Sequence, residues 1–253
     1  MMGANHAVGG AAAWVAVTST APYTLGLDPL PVISVLLGAL VTAGAALLPD
    51  VDEHSSTIAN SGGLVTRSVA AVAGAVSGGH RHGTHSILAI AAFTFGTVLA
   101  GRWEAVVPVL GLAPIGSALM LLALIAFATK AVRFSGGGVM PWVAATTVVA
   151  VVLTVAPGQL AWLPTSVLVG VVVHLLGDLT TTEGVPLLWP WVPKPPRLVA
   201  AIPLASNIWR PSGFLAVPVL GSSGSARQQV LCAGLSIYTL YGIVATIGLL
   251  KTA

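Results

Sequence analysis

Residues 161–179 read AWLPTSVLVGVVVHLLGDL. The stretch is apolar from end to end, apart from a histidine and an aspartate near its close. Its length matches the roughly 18–20 residues a helix needs to cross a hydrocarbon core of about 30 Å. His174 and Asp178 are four residues apart, which places them one turn apart on the same helix face. An ionised carboxylate in such a helix is costly unless it is paired or coordinated. The segment therefore reads as a transmembrane helix that ends in a buried polar site.

The rest of the chain agrees with the first half of that reading. Of 253 residues, 56% are hydrophobic and only 7% charged, and the mean hydropathy is +0.95. Soluble domains carry about 25% charged residues, so this chain has too few charges to cover a water-facing surface. It lacks the period-two alternation of an outer-membrane barrel. Its Ala, Val, Leu and Gly bias suits helices packed closely through small residues. The expected fold is all-α: one polytopic helical membrane domain over 1–253. Cys232 is the single cysteine, which excludes an internal disulfide framework and thiolate metal clusters. The net charge of +3 resides in loops and speaks to topology, so no nucleic-acid partner is expected. No cleavable-signal pattern is expected at the N-terminus, because no basic residue precedes the first apolar stretch.

Seven segments are expected to span: about 5–22, 30–48, 85–101, 105–129, 139–156, 161–179 and 229–250. The run 63–78 is apolar but short and carries Arg67, as in a re-entrant or interfacial helix. Prolines through 185–220 exclude a regular helix there, and its tryptophans favour the headgroup level. With seven spans, the side holding the N-terminus carries Arg67, Arg81, Lys130, Arg133, Lys194, Arg197, Arg210 and Arg227, against Arg102 and Lys251 opposite. The positive-inside rule makes the first side cytoplasmic.

All six histidines, and five of the seven acids, fall in short clusters. His6 opens the first span. Asp50, Asp52, Glu53 and His54 follow the second. His80, Arg81, His82 and His85 precede the third, and His174, Asp178 and Glu183 lie at the end of the sixth. Every cluster falls on the same side of spans drawn from hydropathy alone. An extended Asp-x-Asp turn after Pro49 is expected to point both carboxylates inward. Mixed imidazole and carboxylate donors suit zinc, manganese or iron better than calcium. Aspartates can also bridge two ions, as in phosphoester hydrolases. The planar fork of Arg81 matches a phosphate, and Thr84 and Ser86 can support the ligands from behind. Taken singly, each cluster also has a bland reading: helix caps, an exposed loop or a buried structural pair.

The motifs N-H-A-x-x-G (5–10), L-L-P-D-x-D (47–52), H-R-x-x-T-H-S (80–86) and H-L-L-x-D-x-x-T-x-x-G-V-P-L-L-W-P (174–190) together resemble the YdjM-like inner-membrane metal-dependent hydrolases. More distantly, that family is similar to zinc-dependent phospholipases C and single-strand-specific zinc nucleases. The resemblance implies a metal-dependent hydrolase in a bacterial cytoplasmic membrane, holding one or two divalent ions, zinc foremost. The implied ligands are His6, Asp50, Asp52, His80, His85, His174 and Asp178. The pattern departs at His82, where the family commonly has glycine. The expected reaction is hydrolysis of a phosphoester, with a lipid-linked substrate expected from the surrounding bilayer. His80 would serve as ligand or acid/base, Arg81 as phosphate holder and Glu53 as general base, with loop 185–213 shaping the entrance. The alternatives are a metal-dependent amidase or peptidase, disfavoured by the lack of H-E-x-x-H; a divalent-metal transporter or sensor; and a structural protein with a closed metal site.

Overall fold

Helices satisfy their backbone groups internally, and a chain this poor in polar side chains depends on that. The computed structural model describes residues 1–108, 110–133, 138–155 and 160–248. Among these are ten α-helices: α1 (Gly3–Thr18), α2 (Val32–Ala45), α3 (Gly63–Ser77), α4 (Ile87–Gly101), α5 (Ile115–Ala131), α6 (Met140–Val155), α7 (Leu163–Leu179), α8 (Arg197–Ala200), α9 (Pro203–Ile208) and α10 (Ala226–Thr246). Most of the GGG loop at 136–138, most of the loop 157–160, the end of the last expected span and Lys251 lie outside the described residues.

Two segments have full spanning length and apolarity: α2 with the 3-10 turn that extends it, Val32–Asp52, and α10. The helices of the other five expected spans hold 15–17 residues. At 1.5 Å per residue they measure about 22–26 Å, somewhat less than a hydrocarbon core. α3 coincides with the short apolar run at 63–78, and Leu64, Val65, Val69, Val72 and Val76 on it are exposed.

The all-α expectation needs one amendment. Residues 105–113 do not begin a helix. Ala105–Val107 (β1) pairs antiparallel with Gly111–Ala113 (β2), Ala105 opposite Ala113, and α5 starts only at Ile115. Pro108 and Pro114 lack the amide hydrogens a helix interior needs. Gly111 sits at φ +72°, a conformation that glycine adopts without penalty. The Pro/Trp segment has no long helix, as its prolines require. It forms two short helices, α8 following Pro196 and α9 beginning at Pro203, the helix-start positions at which proline is tolerated.

α1, α2 and α7 pack against one another. α5 lies on α2, α6 on α5, α4 on both α5 and α7, and α10 on α1. Trp14, Val35, Val41, Leu121, Leu124, Val167 and Val171 form the fully buried centre. Small residues set the spacing: a Cβ on Gly170 of α7 would stand 2.7 Å from the Ala45 Cβ of α2, and one on Gly44 would collide with the Leu124 carbonyl of α5. A buried Thr42 Oγ1–Ser166 Oγ hydrogen bond of 2.8 Å joins α2 to α7. Such bonds contribute about 0.6–2 kcal/mol between helices in a membrane. α10 exposes Val230, Ile237 and Leu240, a surface suited to lipid tails. The first turn of α1, the end of α2, the start of α4 and the last turn of α7 meet at one end of this bundle, where the polar residues gather.

Candidate metal centre

Five side chains converge there: His6 from α1, Asp50 from the 3-10 turn Leu48–Asp52, His85 from the 3-10 turn Gly83–His85, and His174 and Asp178 from α7. Asp50 Oδ1 lies 3.6 Å from His85 Nε2 and 3.7 Å from His174 Nε2. Asp178 Oδ2 lies 3.6 and 3.7 Å from the same two nitrogens. Asp178 Oδ1 is 3.2 Å from His6 Nε2 and also meets the Met1 amino group. The His6 ring stacks on His174, centroids 3.7 Å apart. Glycine at 177 permits this, because a Cβ there would stand 3.2 Å from the His6 ring. The histidines and Asp178 are at most 1% exposed, and Asp50 is 20% exposed, so the cluster opens to solvent on the Asp50 side.

In the neutral rings, hydrogen bonding from behind sets the tautomers. His174 Nδ1 is 2.7 Å from the Ala46 carbonyl oxygen. A carbonyl only accepts, so Nδ1 carries the proton and Nε2 a lone pair. Thr84 Oγ1 donates to Asp52 Oδ2 at 2.5 Å, so at its 3.0 Å contact it accepts from His85 Nδ1. His85 Nε2 is then also a lone pair. These two nitrogens face each other at 3.1 Å, with two carboxylates beside them. Two facing lone pairs repel unless a proton or a metal ion lies between them, and the carboxylates beside them favour either.

A divalent ion fits this donor set. Ligand atoms about 2.0–2.2 Å from zinc stand roughly 3 Å apart around it, close to the separation of the two Nε2 atoms. Beyond its 3.2 Å ion-pair contact with Asp178 Oδ1, the buried His6 Nε2 has no hydrogen-bond partner among the described residues, and it is a further potential ligand. The groups His6–Asp50–His174 and His85–His174–Asp178 can each hold an ion. The Ala46 carbonyl and the Thr84–Asp52 pair orient the rings from behind, the support that metal-binding histidines commonly have.

Asp52 and His80 stand next to this group rather than within it. The expected extended Asp-x-Asp turn is instead 3-10 helical, Leu48–Asp52. At three residues per turn, positions i and i+2 point about 120° apart. Asp50 therefore faces His85 and His174, while Asp52 faces Thr84 and, at 3.0 Å, His80 Nδ1. The hydrogen bond to Asp52 raises the pKa of His80 above its ordinary value. Glu53 lies at the rim, with its Oε2 3.9 Å from His80 Nδ1. The Ser55 backbone N–H donates to it and holds its pKa below the usual glutamate value, which weakens it as a base. His54 is exposed. His82 bonds the His80 carbonyl oxygen and turns its ring edge toward Phe214.

Arg81 reaches over the site from a left-handed backbone at φ +58°. Its guanidinium is 3.4 Å from Asp178 Oδ2 and 2.8 Å from Glu183 Oε2. Glu183 had no role assigned from the sequence beyond its place near the cluster, and here it is the outer partner of Arg81. The Ala46 carbonyl was also missed, since no side-chain pattern signals a backbone acceptor. Ser86 supports the site indirectly: it caps α4 by accepting from Ala89 N and donates to the Gly83 carbonyl.

No curated protein and no solved structure matches the chain. The family model described as YdjM inner membrane protein matches residues 1–251, nearly the whole length over which the four motifs, the apolar helices and the gathered His and Asp residues are distributed. The chain belongs to the YdjM inner membrane protein family.

Proposed function

We propose that the protein is a multi-pass, metal-dependent phosphoester hydrolase whose site opens on the cytoplasmic side of the membrane and acts on a lipid-linked substrate. The observation that carries this reading is the pair of Nε2 lone pairs on His85 and His174, 3.1 Å apart between Asp50 and Asp178, with solvent access at Asp50. A structural ion would favour a fully closed shell, whereas catalysis needs an open position.

His6, Asp50, His85, His174 and Asp178 would hold one or two ions, with zinc favoured and manganese or iron also suited to the donors. A divalent cation held by these residues would supply Lewis-acid chemistry, polarising a phosphoryl oxygen and lowering the pKa of water toward neutrality. Arg81 binds the phosphate through its planar fork, exchanging Glu183 for the substrate. His80, held toward its protonated form by Asp52, gives a proton to the leaving oxygen. Asp52 and Thr84 fix the His80 and His85 rings. The excess of Arg and Lys on the site's side of the seven proposed spans supports the cytoplasmic orientation. The donors sit at helix ends on one face, whereas a transporter would hold its ion near the midplane on broken helices.

The test is phosphodiester hydrolysis by purified protein supplied with zinc or manganese. The wild type is expected to turn over, with at least about a hundredfold loss in His174→Ala and Asp178→Ala, the scale on which removing a key catalytic group acts. Equal rates in all three proteins would overturn the reading.

A further inference from the structure

An apolar groove of about 370 Å³ runs between α3 and α4 and shares a wall with the metal centre. Val69, Ala73 and Val76 line one side, at the i, i+4, i+7 spacing of a single helix stripe. Leu88, Ala92 and Phe93 line the other, and Val51 and Trp189 complete it. α3 packs on the 3-10 turn Leu48–Asp52, which leaves the groove open alongside α4. At one end lies Thr84, whose hydroxyl donates to Asp52 at 2.5 Å and accepts from His85. The groove is thus largely apolar, and Gly83 and Thr84 on its wall belong to the turn that also carries His80 and Arg81, with Thr84 bonded to Asp52 and His85.

We infer that this groove holds one acyl chain of an anionic phospholipid, with the headgroup directed to the His80–Arg81 turn. Three observations select this occupant. The family is one of inner-membrane proteins, so the chain's surroundings are lipid. Apart from Ser77 and Thr84 the side chains of the lining are hydrocarbon, as a tail requires and an extended peptide backbone does not tolerate. Arg81, two residues before Gly83 of the groove wall, offers a cation to an anionic head that displaces the outer partner Glu183. Trp189, from the Pro/Trp segment, lies at the groove in the manner of an interfacial aromatic. The inference rests on the proposed lipid-linked substrate, and it gives that substrate a seat.

The experiment uses full-length protein in phosphatidylcholine–phosphatidylglycerol nanodiscs doped with phosphatidylglycerol that carries a diazirine in one tail. After irradiation, labelled peptides are mapped by mass spectrometry. Residues 69–76 and 88–93 are expected to label several-fold more than the exposed face of α10 around Ile237 and Leu240. Ala92→Trp, or Ala73→Trp should the first not fold, removes that excess, and Leu240→Trp does not. Labelling needs no turnover, so Asp178→Ala keeps the excess even where hydrolysis is lost, and the two readings fail separately. Groove labelling equal to that of α10, or unchanged by both tryptophans, means bulk lipid only and overturns the inference. So does an equal excess with tail-diazirine phosphatidylcholine, which removes the anionic-head requirement.

Discussion

His85 Nε2 and His174 Nε2 face each other at 3.1 Å, each with its other ring nitrogen already committed as a donor. The arrangement depends on Thr84, which passes the carboxylate of Asp52 on to His85 through one hydroxyl. Thr84→Val keeps the shape and removes the hydroxyl. It leaves Asp52 Oδ2 and His85 Nδ1 buried and short of a partner, at a cost of about 1–3 kcal/mol in stability. Loss of such support lowers metal affinity about 10–100-fold. Chelator competition against wild type reads the second effect and unfolding in detergent the first.

The His80–Asp52 pair makes a pH-dependent contribution. Its hydrogen bond raises the His80 pKa above the ordinary 6.5. The sign follows from linkage: the stability this pair adds is fully present below 6.5 and is lost as pH rises through the elevated folded value. In chelator-treated protein, an NMR titration of His80 should give a midpoint above 6.5, and Asp52→Asn should bring it down. A midpoint unaffected by Asp52→Asn contradicts the pairing.

Arg81 is held by two carboxylates, Asp178 and Glu183. Lysine keeps the charge but lacks the planar fork. Arg81→Lys is expected to reduce kcat/KM for a phosphodiester about 10–100-fold, which corresponds to roughly 1.4–2.8 kcal/mol. Its metal content should be unchanged. Steady-state kinetics beside elemental analysis separates the two effects, and a variant with wild-type kinetics excludes Arg81 from substrate binding.

At Gly44 even a methyl group would meet the Leu124 backbone. Backbone cannot move aside as a flexible side chain can, so Gly44→Ala should destabilise by at least about 1–3 kcal/mol. Thermal unfolding in detergent reads the shift. Gly96→Ala on α4, where a Cβ meets nothing within 4 Å, serves as the control and should leave stability within about 0.5 kcal/mol.

The long helices were legible because a 14–21-residue apolar run leaves few alternatives, and α3 was legible as a separate apolar helix. The hairpin at 105–113 was not, since hydropathy alone does not weigh Pro108 and Pro114 against their apolar neighbours. The gathering of His6, Asp50, His85, His174 and Asp178 was legible in part because each lies at an end of an apolar run. The separate surroundings of Asp50 and Asp52 were hidden, because an Asp-x-Asp pattern points inward together in extended backbone and apart in a 3-10 turn. The Arg81–Glu183 contact joins residues about a hundred positions apart, beyond what local spacing conveys.

The most direct test of the central claim, that the buried imidazoles and carboxylates hold a divalent cation, is elemental mass spectrometry of detergent-purified protein, with wild type beside His85→Ala and Asp178→Ala. Wild type should carry about one or two equivalents of zinc, manganese or iron, and both variants should lose most of it while remaining folded. Wild-type protein that stays metal-free after incubation with each of these ions would contradict the claim and leave the His85–His174 pair as a purely structural contact.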